Sequence, residues 1–267
     1  MKSANVFRVL AFGDVIGDPG KKGLYAVLPK MRKAYEPDLI VINGENSAQG
    51  FGITNPITKN FFDNGIDVIT TGNHVWQKKE IWDFIDTYPA LLRPINYPPN
   101  TPGHGSVVLE KNGVKLAVVN AMGRIYMDPI ECPFQAMEKE VERLNSLGIR
   151  HIFLDFHGEA TSEKQIMGWK MDGKVSAVWG THTHVPTADE RILPSKTAYI
   201  SDLGMCGCIH SVIGMKIEDS DRRVVKHLPV RFQPAEFGPV EVMGAVIDVH
   251  RETGNALMIN RFKETVG

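Results

Sequence analysis

The sequence predicts an α/β fold, an αββα sandwich of two packed mixed sheets with helices on the outer faces, formed as one domain over residues 1–267. Three observations lead there. Short, continuously apolar runs alternate with helix-like segments through the first half, the pattern of strands buried on both faces. Two other stretches, Ser106–Met122 and the chain from Val224 onward, are β-rich and joined by turns. No internal repeat, low-complexity tract or long linker divides the chain.

In chain order, Phe7–Phe12 is the first strand, ending in Gly-Asp, and Leu24–Tyr35 is the first helix. Leu39–Ile42 is a second apolar run, ending in Asn-Gly-Glu-Asn; Thr54–Asn64 is helical, and Val68–Thr71 is a third run, ending in Gly-Asn-His. Within Ser106–Met122 two β-rich runs flank Lys-Asn-Gly-Val, where Asn112-Gly113 signals a tight hairpin. Met137–Leu147 is a helix with charges on one side, followed by strands at His151–Phe156, Val175–Trp179 and Thr197–Ile200. Val240–Val249 and Ala256–Phe262 form a closing hairpin around Arg-Glu-Thr-Gly-Asn.

Composition narrows the function. Lys and Arg number 30 against 31 Asp and Glu, a net charge of −1, so no global field draws the chain to nucleic acid or to an anionic membrane. A nucleotide substrate would have to be captured by a local site. No apolar stretch approaches the ~20 residues of a membrane span, and the run in MKSANVFRVLAFGD is too short for a signal peptide. Cys132, Cys206 and Cys208 are too few for a disulfide framework, and Cys206-x-Cys208 reads as partly buried thiols in a Gly-rich turn. The expectation is a cytoplasmic protein without a membrane partner. Met205 and Met215 read as core filling.

The chemistry lies where the apolar runs end: Gly13-Asp14, Gly44-Glu45-Asn46, Gly72-Asn73-His74, His157-Gly158 and Gly180-Thr181-His182-Thr183-His184. Carboxyl ends of parallel strands converge on one rim, so this pattern gathers two carboxylates, two asparagines and four histidines. Each element has an ordinary reading alone: Asp14 as a helix cap, Asn73 as a turn residue, His157 as a rim histidine. Five such clusters at successive strand ends point instead to first-row metal ions, with amide oxygens suiting manganese or iron. In His182-Thr183-His184 the alternation suggests two imidazoles on one face of an extended strand.

The phrases GDVIGDPG, VINGENSAQGFGIT, VITTGNHVW, LLRPINYP, DFHGEATSEK, VWGTHTHVPTAD and SVIG, spanning Gly13 to Gly214, resemble the calcineurin-like metallophosphoesterases. They are closer still to the YmdB-like branch of bacterial cyclic-nucleotide phosphodiesterases. The resemblance implies the same sandwich, a di-iron or similar dinuclear centre, activity on 2′,3′-cyclic nucleotides and a homo-oligomer with a regulatory cellular role. Two departures from the wider superfamily stand out. Its usual Asp-x-His is Asp14-Val15-Ile16 here, and Glu45, with Asn46 beside it, takes the place of the bridging aspartate. CGCIH at Cys206–His210 also departs from the branch pattern before SVIG.

The resemblance implies one metal on Asp14, Asn46 and His184 and another on Asn73, His157 and His182, with Glu45 bridging. Two ions so held, iron first with manganese or zinc as alternatives, would share the hydroxide that attacks phosphorus. His74 is then the catalytic residue at the leaving oxygen. Phe51 is a candidate to stack a nucleobase, or else a core aromatic closing its loop; Arg93 and Arg124 are candidate phosphate contacts, or else surface charges. Asp155 and Glu159 are placed to orient His157 or to pair with Lys164. His104, His151, His210, His227 and His250 fall outside the pattern. Two rival readings are an RNA-directed phosphodiesterase and a metal-containing sensor with weak activity. A dinucleotide-binding fold fails, because Gly13–Gly20 reads GDVIGDPG and not GxGxxG.

Overall fold

The computed structural model describes residues 2–267. The strands are β1 (Val6–Val15), β2 (Leu39–Asn43), β3 (Val68–Thr70), β4 (Ser106–Lys111), β5 (Val114–Met122), β6 (His151–His157), β7 (Ala177–Thr181), β8 (Arg191–Ile192), β9 (Ala198–Ile200), β10 (Met205–Cys208), β11 (Val240–His250) and β12 (Ala256–Val266). The principal helices are α1 (Gly17–Tyr35), α2 (Asn55–Asp63), α3 (Ile81–Phe84), α4 (Pro133–Ser146), α5 (Thr161–Met171) and α6 (Ile217–Ser220).

Two mixed sheets result. One has the order β12-β11-β10-β1-β2-β3, the other β4-β5-β6-β7-β9-β8. In the first, β10, β1, β2 and β3 run parallel, β11 is antiparallel to β1 and β10, and β12 is antiparallel to β11; in the second, β5, β6, β7 and β9 are parallel between antiparallel edges. Side-chain alternation explains the layers. Val9 and Ala11 of β1 point between the sheets, where they meet Leu116, Val118, Phe153 and Trp179, while Leu10 and Phe12 point outward onto Leu24, Val27 and Met31 of α1. On the far side Ala117, Val119, Ile152 and Leu154 pack under Met137, Val141, Met167 and Met171 of α4 and α5. This is the αββα sandwich read from the sequence.

The differences lie at element ends and in one strand. Helix α1 begins at Gly17, seven residues before the apolar periodicity starts, because Pro19 is tolerated in a first turn and Gly20 lets the β10 backbone pass where any Cβ would strike the Cys206 carbonyl. The Cys206-x-Cys208 segment is no turn: it is β10, a buried strand joining β1 to β11, and burial pushes the Cys206 thiol up to about 12. The Asn112-Gly113 hairpin forms as expected, with positive φ at both residues. Among the described residues no helix is long and apolar enough to cross a membrane.

Candidate metal centre

The parallel strands of both sheets point their carboxyl ends toward one rim. Asp14 is near the end of β1, Glu45 and Asn46 follow β2, Asn73 and His74 follow β3, His157 ends β6, and His182 and His184 follow β7. Asp14, Glu45, Asn46, His157 and His184 are buried, the others half-buried. Glycine permits the close approach at one point in particular: a Cβ on Gly72 would collide with the imidazole of His157.

The tightest convergence is on His157 Nε2. Glu45 Oε1 and Asn73 Oδ1 each lie 3.0 Å from it and His182 Nδ1 lies 3.1 Å from it. Glu45, His157 and His182 form a group whose ligand atoms all fall within 4.8 Å of one another. The remaining ring nitrogens are tied down elsewhere. His157 Nδ1 is 2.9 Å from Thr181 Oγ1, whose hydroxyl donates to Asp155 Oδ1 at 2.7 Å. Thr181 therefore accepts the Nδ1 proton, and in the neutral ring Nε2 carries the lone pair. His182 Nε2 is 3.0 Å from Glu159 Oε2, and His184 Nδ1 is 2.8 Å from the Ile213 carbonyl. In their neutral form all three imidazoles aim a lone pair at the rim.

Oxygen donors complete the set. Asp14 Oδ1 lies 3.8 Å from His184 Nε2 and 4.0 Å from His157 Nδ1. Asp14 Oδ1 and Asn46 Oδ1 are buried without a hydrogen-bond partner among the described residues, as is His74 Nδ1. The Asn46 amide nitrogen donates to the Gly50 carbonyl at 2.9 Å, which fixes its oxygen as the free end. Buried acceptors left unsatisfied are costly, and lone pairs gathered on one point repel. A cation satisfies both conditions, so the residues fit metal ions.

Charge follows the same geometry. Burial raises the Asp14 carboxyl to about 6. Burial works against the Glu45 carboxylate too, but the adjacent His157 holds it down to about 2. His157 is pushed up to about 9, because Glu45 outweighs the burial that disfavours its charge. His182 falls to about 3 through burial and the neighbouring His157 charge. A cation bound at this rim would compete with the His157 proton. Burial lowers His74 as well.

Several sequence expectations change here. His182 and His184 are not alternate residues of an extended strand: β7 stops at Thr181, and both have left-handed backbone, with φ of 102° and 64°. Glu159 orients His182 and not His157, while Asp155 reaches His157 through Thr181. Lys164 pairs with neither; it meets Asp202 at 2.7 Å. Arg93 is buried, and its guanidinium is taken up by the carbonyls of Pro94, Ile95, Thr101 and Pro102, so the structure does not offer it to a phosphate. Arg124 is exposed on a groove of about 530 Å³ with Ile125, Phe134 and Ile166, and its backbone N–H is held by Glu163. Phe51 sits edge-on to His74 at 4.8 Å between ring centres, packed with Ile16, Met205 and Met215. Sequence reasoning missed Thr181, Lys164 and Asp202, whose only signals were a hydroxyl at a strand end and two ordinary charges.

Known proteins match this chain over nearly its whole length. The family described as YmdB-like protein matches residues 10–262. The 2′,3′-cyclic-nucleotide 2′-phosphodiesterase of Bacillus subtilis (strain 168) is 46% identical over 254 residues, covering 95% of this chain and 96% of that protein. The crystal structure of a hypothetical protein from Thermus thermophilus superposes with a TM-score of 0.91 at 37% identity, covering 98% of this chain and 100% of the other. That of a novel phosphatase from Mycoplasma pneumoniae gives 0.92 at 30% identity, covering 98% and 94%. The chain belongs to the YmdB-like branch of the calcineurin-like metallophosphoesterases.

Proposed function

We propose that this enzyme hydrolyses 2′,3′-cyclic nucleotides and similar small phosphodiesters at a dinuclear centre. Asp14, Asn46 and His184 would hold one ion, Asn73, His157 and His182 the other, with Glu45 between them. The observation that carries the reading is the convergence of Glu45 Oε1, Asn73 Oδ1 and His182 Nδ1 on His157 Nε2 at 3.0–3.1 Å. The activity of the B. subtilis relative supports the substrate class. Metal ions at this rim would supply Lewis acidity toward the phosphate oxygens and a hydroxide at neutral pH. Carboxylate, amide and imidazole donors together favour iron or manganese.

The chain's own residues set the geometry of that reaction. Glu45 Oε2 accepts the His74 backbone N–H at 2.9 Å, which locks the carboxylate and turns Oε1 to the rim. The same bond fixes the start of the turn that carries the His74 ring. Asn73 Nδ2 lies 3.3 Å from His74 Nε2 and donates to it, so the ring proton belongs on Nδ1, the atom without a partner. His74 would donate a proton to the leaving oxygen and stabilise the charge that develops on it.

Elemental analysis run beside hydrolysis of 2′,3′-cAMP and bis-p-nitrophenyl phosphate, on wild type and Glu45→Ala, tests the whole reading. About two metals per chain in the wild type, with activity and most of the metal lost in the variant, is the expected result. A wild type that takes up no iron or manganese would overturn it.

A further inference from the structure

The turn carrying His182 and His184 has an unusual backbone. Both histidines adopt positive φ, a conformation that side chains with a Cβ rarely hold unless their surroundings impose it. One restraint comes from within the donor set, where Asp14 Oδ2 accepts the His182 N–H at 3.1 Å. The other comes from outside it. Asp202, just past β9, accepts the N–H of Thr183 at 3.1 Å through Oδ2, and that of Gly204 at 2.9 Å through Oδ1. Its own N–H donates to Thr187 Oγ1 at 2.9 Å, and its carbonyl accepts the Thr187 N–H at 3.1 Å. Asp202 therefore grips the turn at its middle and again at its exit.

Asp202 is fully buried, and its charge is matched by Lys164 Nζ at 2.7 Å, also buried. Lys164 lies in the first turn of α5, four residues after Ala160 caps that helix, and the chain that leads into it begins at His157. The pair consequently ties the segment that follows His157 to the turn that holds His182 and His184. A buried carboxylate with a buried lysine adds little net stability compared with an apolar pair, so folding energy alone gives a weak account of it.

We propose that Lys164 and Asp202 are positioning residues, which hold the His182-Thr183-His184 turn in the conformation that presents both imidazoles to the metal centre. The proposal rests on the dinuclear reading above, and both ion positions depend on the turn, since His182 and His184 serve different ones. Neither Lys164 nor Asp202 is among the residues that would hold the ions.

The test uses metal-free protein, titrated with Mn²⁺ alone by calorimetry and melted in parallel without metal. Asp202→Asn leaves one of the Thr183 and Gly204 N–H groups without its acceptor, and Mn²⁺ binding should weaken about 10- to 100-fold. Because a single change leaves Lys164 buried without a counter-charge, Lys164→Met with Asp202→Asn is measured beside it. The double variant should melt within a few degrees of wild type while still binding Mn²⁺ about tenfold or more weakly. Mn²⁺ affinity equal to wild type in the double variant would reduce the pair to fold support and overturn the proposal. Absence of Mn²⁺ binding in wild type would instead strike at the dinuclear reading beneath it.

Discussion

Strand β1 carries charged neighbourhoods at both ends, and they are built on opposite rules. Near its start, Asp38 accepts from Lys2 Nζ at 2.6 Å, the Arg8 backbone N–H at 2.8 Å and Asn112 Nδ2 at 2.7 Å, while Arg8 grips Asp248 with two bonds of 2.6 Å each. Six residues further on, roughly 20 Å along the strand, Asp14 keeps one buried oxygen with no partner, and Asn46 and His74 each keep an unpartnered polar atom nearby. At the first end every oxygen of the two carboxylates has a partner. At the second only the far side of each imidazole is anchored: Thr181 on His157, Glu159 on His182, the Ile213 carbonyl on His184. Along β1, paired carboxylates accompany structure, and several unpartnered polar atoms gathered at one rim accompany a candidate binding site.

The comparison breaks most visibly if Gly72 acquires a side chain. In Gly72→Ala the new methyl must displace the His157 imidazole. A shift of this kind should lower turnover about 10²-fold or more, with a matching loss of metal by elemental analysis. Full metal content and activity in that variant would mean that His157 is not held where the rim needs it. At the opposite end Asp38→Ala should cost about 2–3 kcal/mol in denaturant unfolding and leave metal content and turnover unchanged. Its acid behaviour follows from sign. Burial opposes the Asp38 charge, but the bonds from Lys2, Arg8 and Asn112 prevail and hold its carboxyl below the ordinary range. A depressed folded pKa contributes stability above the unfolded value of about 4 and loses it as the pH falls through the folded one. Asp38→Ala should therefore flatten the acid limb of unfolding.

These two ends were not equally legible in the sequence. The candidate rim could be read because each donor directly follows a short apolar run, and parallel strands bring such positions together whatever the loops do. The saturated end could not, because Asp38, Asn112, Arg8 and Asp248 meet across separations of up to 240 residues with no local pattern to announce it. The same limit hid the Lys164–Asp202 pair. Strand β10 was missed for another reason: Met-Cys-Gly-Cys is short and contains glycine, so its strand state comes from β1 and β11 on either side. His182 and His184 show the reverse error, in which i, i+2 spacing suggested extension although the turn geometry is left-handed. Arg93 was suggested by residue type alone, and the carbonyls around it decide otherwise.

Metal affinity should report the second end as directly as acid unfolding reports the first. With Glu45 beside it, His157 holds its proton up to about 9 in the metal-free protein, against the burial that favours the neutral ring. A cation must displace that proton. Apparent Mn²⁺ affinity should thus be level above about pH 9 and fall about tenfold for each unit below it. Calorimetry in buffers of different ionisation enthalpy would show about one proton released per metal pair near neutrality. An affinity independent of pH between about 6 and 8 would mean that the converging atoms are not the ligands.

The smallest expected effect separates two roles inside the rim itself. Phe51 meets His74 edge-on at 4.8 Å, and its other contacts, Ile16, Met205 and Met215, are apolar. That environment makes it a buttress for the His74 ring, and an edge-to-face aromatic pair of this kind contributes about 0.5–1.5 kcal/mol. Phe51→Ala should therefore lower kcat roughly 2- to 12-fold, with metal content unchanged and KM little affected. The loss should be similar on 2′,3′-cAMP and on bis-p-nitrophenyl phosphate, because positioning His74 serves any leaving oxygen. A rise in KM confined to the nucleotide would instead assign the ring to the base, since only that substrate has one to stack.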